Sequence, residues 1–119
     1  MNPTLYGIAN CDTVKKARAW LTEQGVEHTF HDFKKQGVPE DHLDAWIQAV
    51  GWEKLVNRKG TMWRKLEPSV QEQVRDSMTA RKLMLATPSV IKRPVVEWDK
   101  KHTTVGFDTA VWQTLLPGR

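Results

Sequence analysis

An α/β fold on a four-stranded mixed sheet is predicted by three observations. A β-α-β pattern opens the chain, a block of helical segments fills its middle, and a β-β-α pattern closes it. The opening pattern needs a parallel crossover, and the closing pattern suits a hairpin. A mixed sheet with helices on both faces satisfies both.

The elements follow in order. Residues 4–9 are short and apolar and read as a buried strand. From Asp12 or Thr13 to Gln24, Val14, Ala17 and Leu21 recur on one helical face with Trp20 beside them. Gly25 suits the position just past that helix. Residues 26–33 are rich in β-branched and aromatic side chains and give a second strand, and 34–37 read as a loop. Pro39 fits the first turn of a helix, continued by Leu43, Trp46, Ile47 and Val50 and ended by Gly51. Residues 53–57 form a short helical turn and 58–61 a loop. Pro68 opens a helix with Val70, Val74 and Met78 on one face. Thr79 is read as the cap of the next helix, which Pro88 ends. Residues 95–98 and 103–107 are the third and fourth strands around a turn. Asp108 caps a final helix through Leu116, terminated by Pro117-Gly118. This order is a thioredoxin-like arrangement in a single domain, 1–119, with a helical insertion at about 38–87.

Composition narrows the function. A chain of 119 residues suffices for one domain with a real core. Its 39% hydrophobic and 27% charged residues suit a soluble globular protein. No apolar run is long enough to span a bilayer, and no signal-peptide pattern opens the chain. We therefore expect no membrane association. A lone cysteine makes no internal disulfide, which suits a reducing compartment, so a cytoplasmic location is expected. Lys plus Arg is 18 against 14 Asp plus Glu, a net +4. That excess is compatible with an anionic ligand and does not require nucleic acid. Zinc-finger spacing, RNA-binding aromatic signatures and Gly-rich phosphate loops are absent, so direct nucleic-acid binding is not expected. His28, His31, His42 and His102 make no metal-binding pattern with the cysteine, so no metal is expected.

Cys11 falls at the strand-to-helix turn. There the free N–H groups and the positive end of a helix dipole favour an anion. Such a site lowers a thiol pKa from its ordinary value of about 8.5. Lys15 and Lys16 act in the same direction, and Asp12 against it. Spacing alone leaves a reactive thiol and a buried structural cysteine both open.

Residues 5–17, from Leu5-Tyr6-Gly7-Ile8-Ala9-Asn10-Cys11 to Ala17, resemble the start of the arsenate reductase (ArsC)/Spx superfamily. The segment from Leu55-Val56-Asn57-Arg58 to Leu66 resembles its middle, Ile91-Lys92-Arg93-Pro94-Val95-Val96 its late motif, and Val105-Gly106-Phe107 its last strand. The match is similar to the YffB-like branch, itself similar to glutathione-dependent thiol reductases. The resemblance implies that Cys11 is a nucleophilic thiolate. It implies that Arg58 and Arg93 hold an oxyanion or carboxylate, and that Pro94 is a cis-proline facing the cysteine. Without it, both arginines read as surface residues and Pro94 as an ordinary trans proline.

The resemblance also implies glutathione as co-substrate with no bound cofactor. Lys15, Arg58, Arg93 and Pro94 would be its binding residues, and glutaredoxin a further thiol partner. Two alternatives accompany it: an arsenate or other oxyanion reductase, and a Spx-like non-enzymatic regulator that binds RNA polymerase. Several positions depart from the pattern. Where arsenate reductases carry a histidine before the cysteine, Gly7 stands here. Val14 and Lys15 replace a serine and an arginine, and Gly106 stands at the place of a third arginine. Spx-type regulators carry a two-cysteine switch; Val14 occupies its second position, which excludes an internal redox switch.

Overall fold

Thr4–Gly7 forms β1, an interior strand of the sheet. The computed structural model describes residues 2–117. They fall into two compact units, the residues up to Gln36 with those from Arg93 onward, and Gly37–Lys92.

The first unit holds the sheet. β1 pairs in parallel with β2, Thr29–Asp32, setting Leu5 opposite Phe30. On its other side β1 runs antiparallel to β3, Val95–Glu97, setting Leu5 opposite Val96. β3 and β4, Thr103–Val105, form the hairpin, and the strand order is β2-β1-β3-β4. The mixed α/β sheet read from the sequence is the one observed. β2 is shorter than its 26–33 pattern. Val26 instead donates its N–H to Leu21 and closes the preceding helix. That helix, α1, covers Asp12–Glu23 and ends where Gly25 takes φ +73°. A positive φ strains any residue with a Cβ, so glycine stops the helix there.

Alternation along the strands sends Leu5 and Val96 to one face. They join Val14, Ala17 and Leu21 of α1, and Trp98, Trp112 and Leu116, in a single core cluster. Trp112 belongs to α8, Thr109–Leu115, whose N-cap Asp108 accepts from the N–H groups of Ala110 and Val111 as expected. Trp98, Trp20 and Phe107 meet the Trp112 ring edge-on at 5.0, 5.8 and 4.9 Å, an arrangement that the ring quadrupoles favour. Both long helices of this unit therefore share one face of its sheet. Residues 34–37, read as a loop, include a helical turn, α2, Phe33–Gln36. Asp32 accepts from the Lys34 N–H at 2.9 Å and starts it. Gly118 of the expected Pro117-Gly118 terminator lies outside the described residues.

The second unit is helical. α3 spans Glu40–Val50, α4 Trp52–Leu55, α5 Thr61–Lys65, α6 Pro68–Gln73 and α7 Ser77–Ala86. A 3-10 turn at Pro88–Val90 leads to an antiparallel bridge between Val56 and Ile91. Leu43, Trp46, Leu55, Ala80, Met84 and Val90 are fully buried. Arg81 of α7 reaches Asp44 at 2.6 Å and Glu40 at 3.2 Å on α3.

Two readings are corrected in this unit. Val70, Val74 and Met78 do not share a helix, because α6 stops at Gln73 and Met78 is 78% exposed on α7. Thr79 does not cap α7. Asp76 does, accepting from the Thr79 N–H, while the Thr79 hydroxyl receives the Asp76 N–H in a reciprocal box. Among the described residues, no helix is long and apolar enough to cross a membrane.

Candidate active site around Cys11

The turn from β1 into α1 is set by a close approach. Gly7 ends β1, and an ideal Cβ built there would lie 2.7 Å from Val14 Cγ2. Val14 sits in the first turn of α1 and is fully buried. The Cys11 N–H donates to the Ile8 carbonyl at 3.2 Å, and the Cys11 carbonyl accepts the first helical bond from Lys15 at 2.9 Å. Cys11 is thus the N-cap, with extended backbone at φ −111° and ψ 124°. Its sulfur occupies the place from which a cap side chain receives the second and third N–H groups of a helix.

The thiol is partly exposed, and its inner side rests on the core cluster. Burial by itself pushes its pKa up. The N–H of Val14, the Arg93 guanidinium and the N–H of Thr13 together outweigh that burial, and the net shift is downward. No conventional cap hydrogen bond closes the helix at the side chain. The two amides lower the thiol pKa as N–H donors, and Arg93 acts both as donor and as charge.

Arg93 and Pro94 lie directly before β3, the antiparallel neighbour of β1. The strand pairing brings them to the cysteine end of the sheet. The Arg93–Pro94 peptide is cis. The Pro94 carbonyl accepts from the N–H of Gly106, which takes φ +86°, at 2.9 Å. Gly106 therefore holds the proline loop through its backbone, a role that sequence reading missed. A glycine just after a strand was the available signal.

The other predicted residues stand as follows. Lys15 is exposed on α1, one turn from Cys11. Arg58 belongs to the second unit, is exposed, and lies 5.4 Å over the Trp52 ring, a cation–π contact. Among the described residues, no group of three His, Cys, Asp or Glu side chains could hold a metal ion.

A thioredoxin-like sheet with one cysteine at a helix N-terminus beside an arginine, and a cis-proline next to that arginine in the chain, defines a thiol-chemistry protein. The chain belongs to the ArsC family, whose model matches residues 6–115. It is similar to the solved YffB protein, at 44% identity and TM-score 0.90 over 97% of this chain and 99% of that one. It is also similar to an arsenate reductase (ArsC) related protein from Brucella melitensis, at 49% identity and TM-score 0.75 over 96% and 93%. A protein of Haemophilus influenzae is 39% identical over 92% of this chain and 95% of its own length. The global transcriptional regulator Spx of Streptococcus pyogenes is 27% identical over 88% and 78%. These relatives fit thiol reductase chemistry in general terms.

Proposed function

We propose that the chain is a glutathione-dependent thiol reductase working through Cys11 alone. The observation that carries this reading is the Arg93 side chain against a Cys11 thiol whose pKa is lowered at the start of α1. A thiolate is the reacting form, and an adjacent guanidinium both favours it and offers a planar fork to a carboxylate. The Cys11 thiolate attacks a disulfide sulfur; a Cys11–sulfur bond forms, the old bond breaks, and the leaving thiolate takes a proton from water. Glutathione, as thiolate, then attacks the mixed disulfide. It restores Cys11 and departs joined to the sulfur that Cys11 carried. Glutaredoxin is an alternative external thiol.

Glutathione carries two carboxylates. Arg93 and Lys15 are the cations proposed to meet them, with the peptide groups flanking Pro94 receiving its backbone. The test is the intact mass of the protein after incubation with oxidised glutathione. One adduct is expected on the wild type and none on Cys11→Ser. An unmodified wild type, or the same adduct on Cys11→Ser, overturns the reading. The likeness to Spx favours a second reading, a non-enzymatic regulator that binds RNA polymerase. Capture of polymerase and full function in Cys11→Ser would select it.

A further inference from the structure

α6 and α7 leave an open groove of about 520 Å³ between them. α6 supplies Val70 and Gln73, and Val74 follows its end. α7 supplies Thr79, Lys82, Leu83 and Ala86, at i, i+3, i+4 and i+7. α7 therefore turns one continuous face to the groove. Its apolar lining is Val70, Val74, Leu83 and Ala86. Its charged lining is Arg75 and Lys82, both cations and both exposed. The nearby acids Glu72 and Asp76 do not line it, and the Asp76 carboxylate is turned to Thr79 in the cap of α7.

We propose that this groove docks an acidic amphipathic helix of a partner protein. The 3–4 spaced face of α7, with Val70 and Val74 beside it, forms a trough that a further helix fills with apolar residues at the same spacing. The sign of the rim selects acidic flanks on that helix. A second copy of this chain fits poorly. Its net charge is +4, and among the described residues its large exposed hydrophobics are Met62, Met78 and Val111, on three different helices rather than in one stripe. This inference is independent of the Cys11 chemistry.

The test uses the full chain and a fluorescein-labelled helical peptide of about five turns, with Leu at 3–4 spacing and Glu elsewhere. A scrambled peptide of the same composition, a peptide with Lys in place of Glu, and vesicles of anionic lipid are the comparisons. Fluorescence anisotropy should show saturable binding of the acidic amphipathic peptide. Binding should weaken about tenfold in the Arg75→Glu/Lys82→Glu variant and weaken again in high salt. Amide chemical shifts should move within residues 70–86. Unchanged tryptophan near-ultraviolet dichroism and Cys11 alkylation rate establish that the variant is folded. Equal binding of the scrambled or lysine peptide, preference for the vesicles, shifts elsewhere, no binding, or an unaltered affinity in the double variant overturns the proposal.

Discussion

Gly7 and Val14 meet so closely that a Cβ on the glycine would stand 2.7 Å from Val14 Cγ2. The end of β1 and the first turn of α1 are thereby pressed together on either side of Cys11. The two residues occupy the places where the arsenate reductase pattern has a histidine and a serine. Here both polar groups are gone, and a tight apolar contact replaces them.

Gly7→Ala should destabilise the protein by about 1–3 kcal/mol, the usual cost of overpacking a buried contact. That cost exceeds the roughly 0.4–1 kcal/mol which alanine gains by restricting the unfolded chain. Val14→Ala in the same chain should recover part of the loss, because it removes the colliding methyl. A double-mutant cycle by urea denaturation measures the coupling. Additive effects of the two substitutions would contradict the contact.

Cys11 alkylation followed against pH should show a midpoint below about 8.5, the ordinary free-cysteine value. Arg93→Ala should move that midpoint upward, because one source of stabilisation for the thiolate is lost. The folded thiol has the lower pKa, so between the folded and unfolded values the unfolded chain binds more protons. Stability should therefore rise with pH through that window. The contribution is complete above the unfolded pKa and is lost as pH falls through the folded one. Cys11→Ser should remove this part of the pH dependence.

Arsenate reduction should be absent or very slow. The third arginine of the resembling enzymes is replaced by Gly106 and the preceding histidine by Gly7. Two lost charge-assisted contacts, at roughly 1.5–3 kcal/mol each, cost several decades in transition-state binding. Assays with glutathione and glutaredoxin supplied would refute this if turnover reached about 1–10 per second, an ordinary enzyme rate.

Asp108→Ala should lower stability by about 1 kcal/mol, since its carboxylate receives two N–H groups at the start of α8. Asp108→Asn should retain most of that stability. Cys11 reactivity should be unchanged in both, as the groups that lower the thiol pKa belong to Val14, Arg93 and Thr13 and not to α8. Thermal melts and alkylation rates measured on the same samples check the pair of expectations.

Much of the first unit was legible because its signals are local and periodic. Val14, Ala17 and Leu21 mark the buried face of α1, Gly25 its end and Asp108 the start of α8. What could not be read depended on short segments or on contacts across the chain. α5 has five residues, too few to display a period. The four-residue spacing of Val70, Val74 and Met78 suggested one helix, but the Asp76–Thr79 box starts a new one between them. α2 arises from a single carboxylate catching an N–H. At the site, the position of Cys11 follows from the strand-turn-helix pattern. The Arg93 contact does not, because no spacing rule joins residues that far apart; only strand pairing brings them together. The family pattern, rather than any local signal, pointed to Arg93 and Pro94.

The strand order β2-β1-β3-β4 has a consequence for endurance. β1 leads into the cysteine turn, and β3 follows directly from Arg93 and Pro94; each has a neighbour on both sides. The edges of the sheet, β2 and β4, carry neither. Strands at an edge open more readily than those within, as exchange of backbone amides with solvent reports. Fraying at the margins would alter the outline of the protein before it parted the sulfur from its guanidinium. The reactive pair is clamped by the rungs between two inner strands, and it should be among the last features of this unit to come undone.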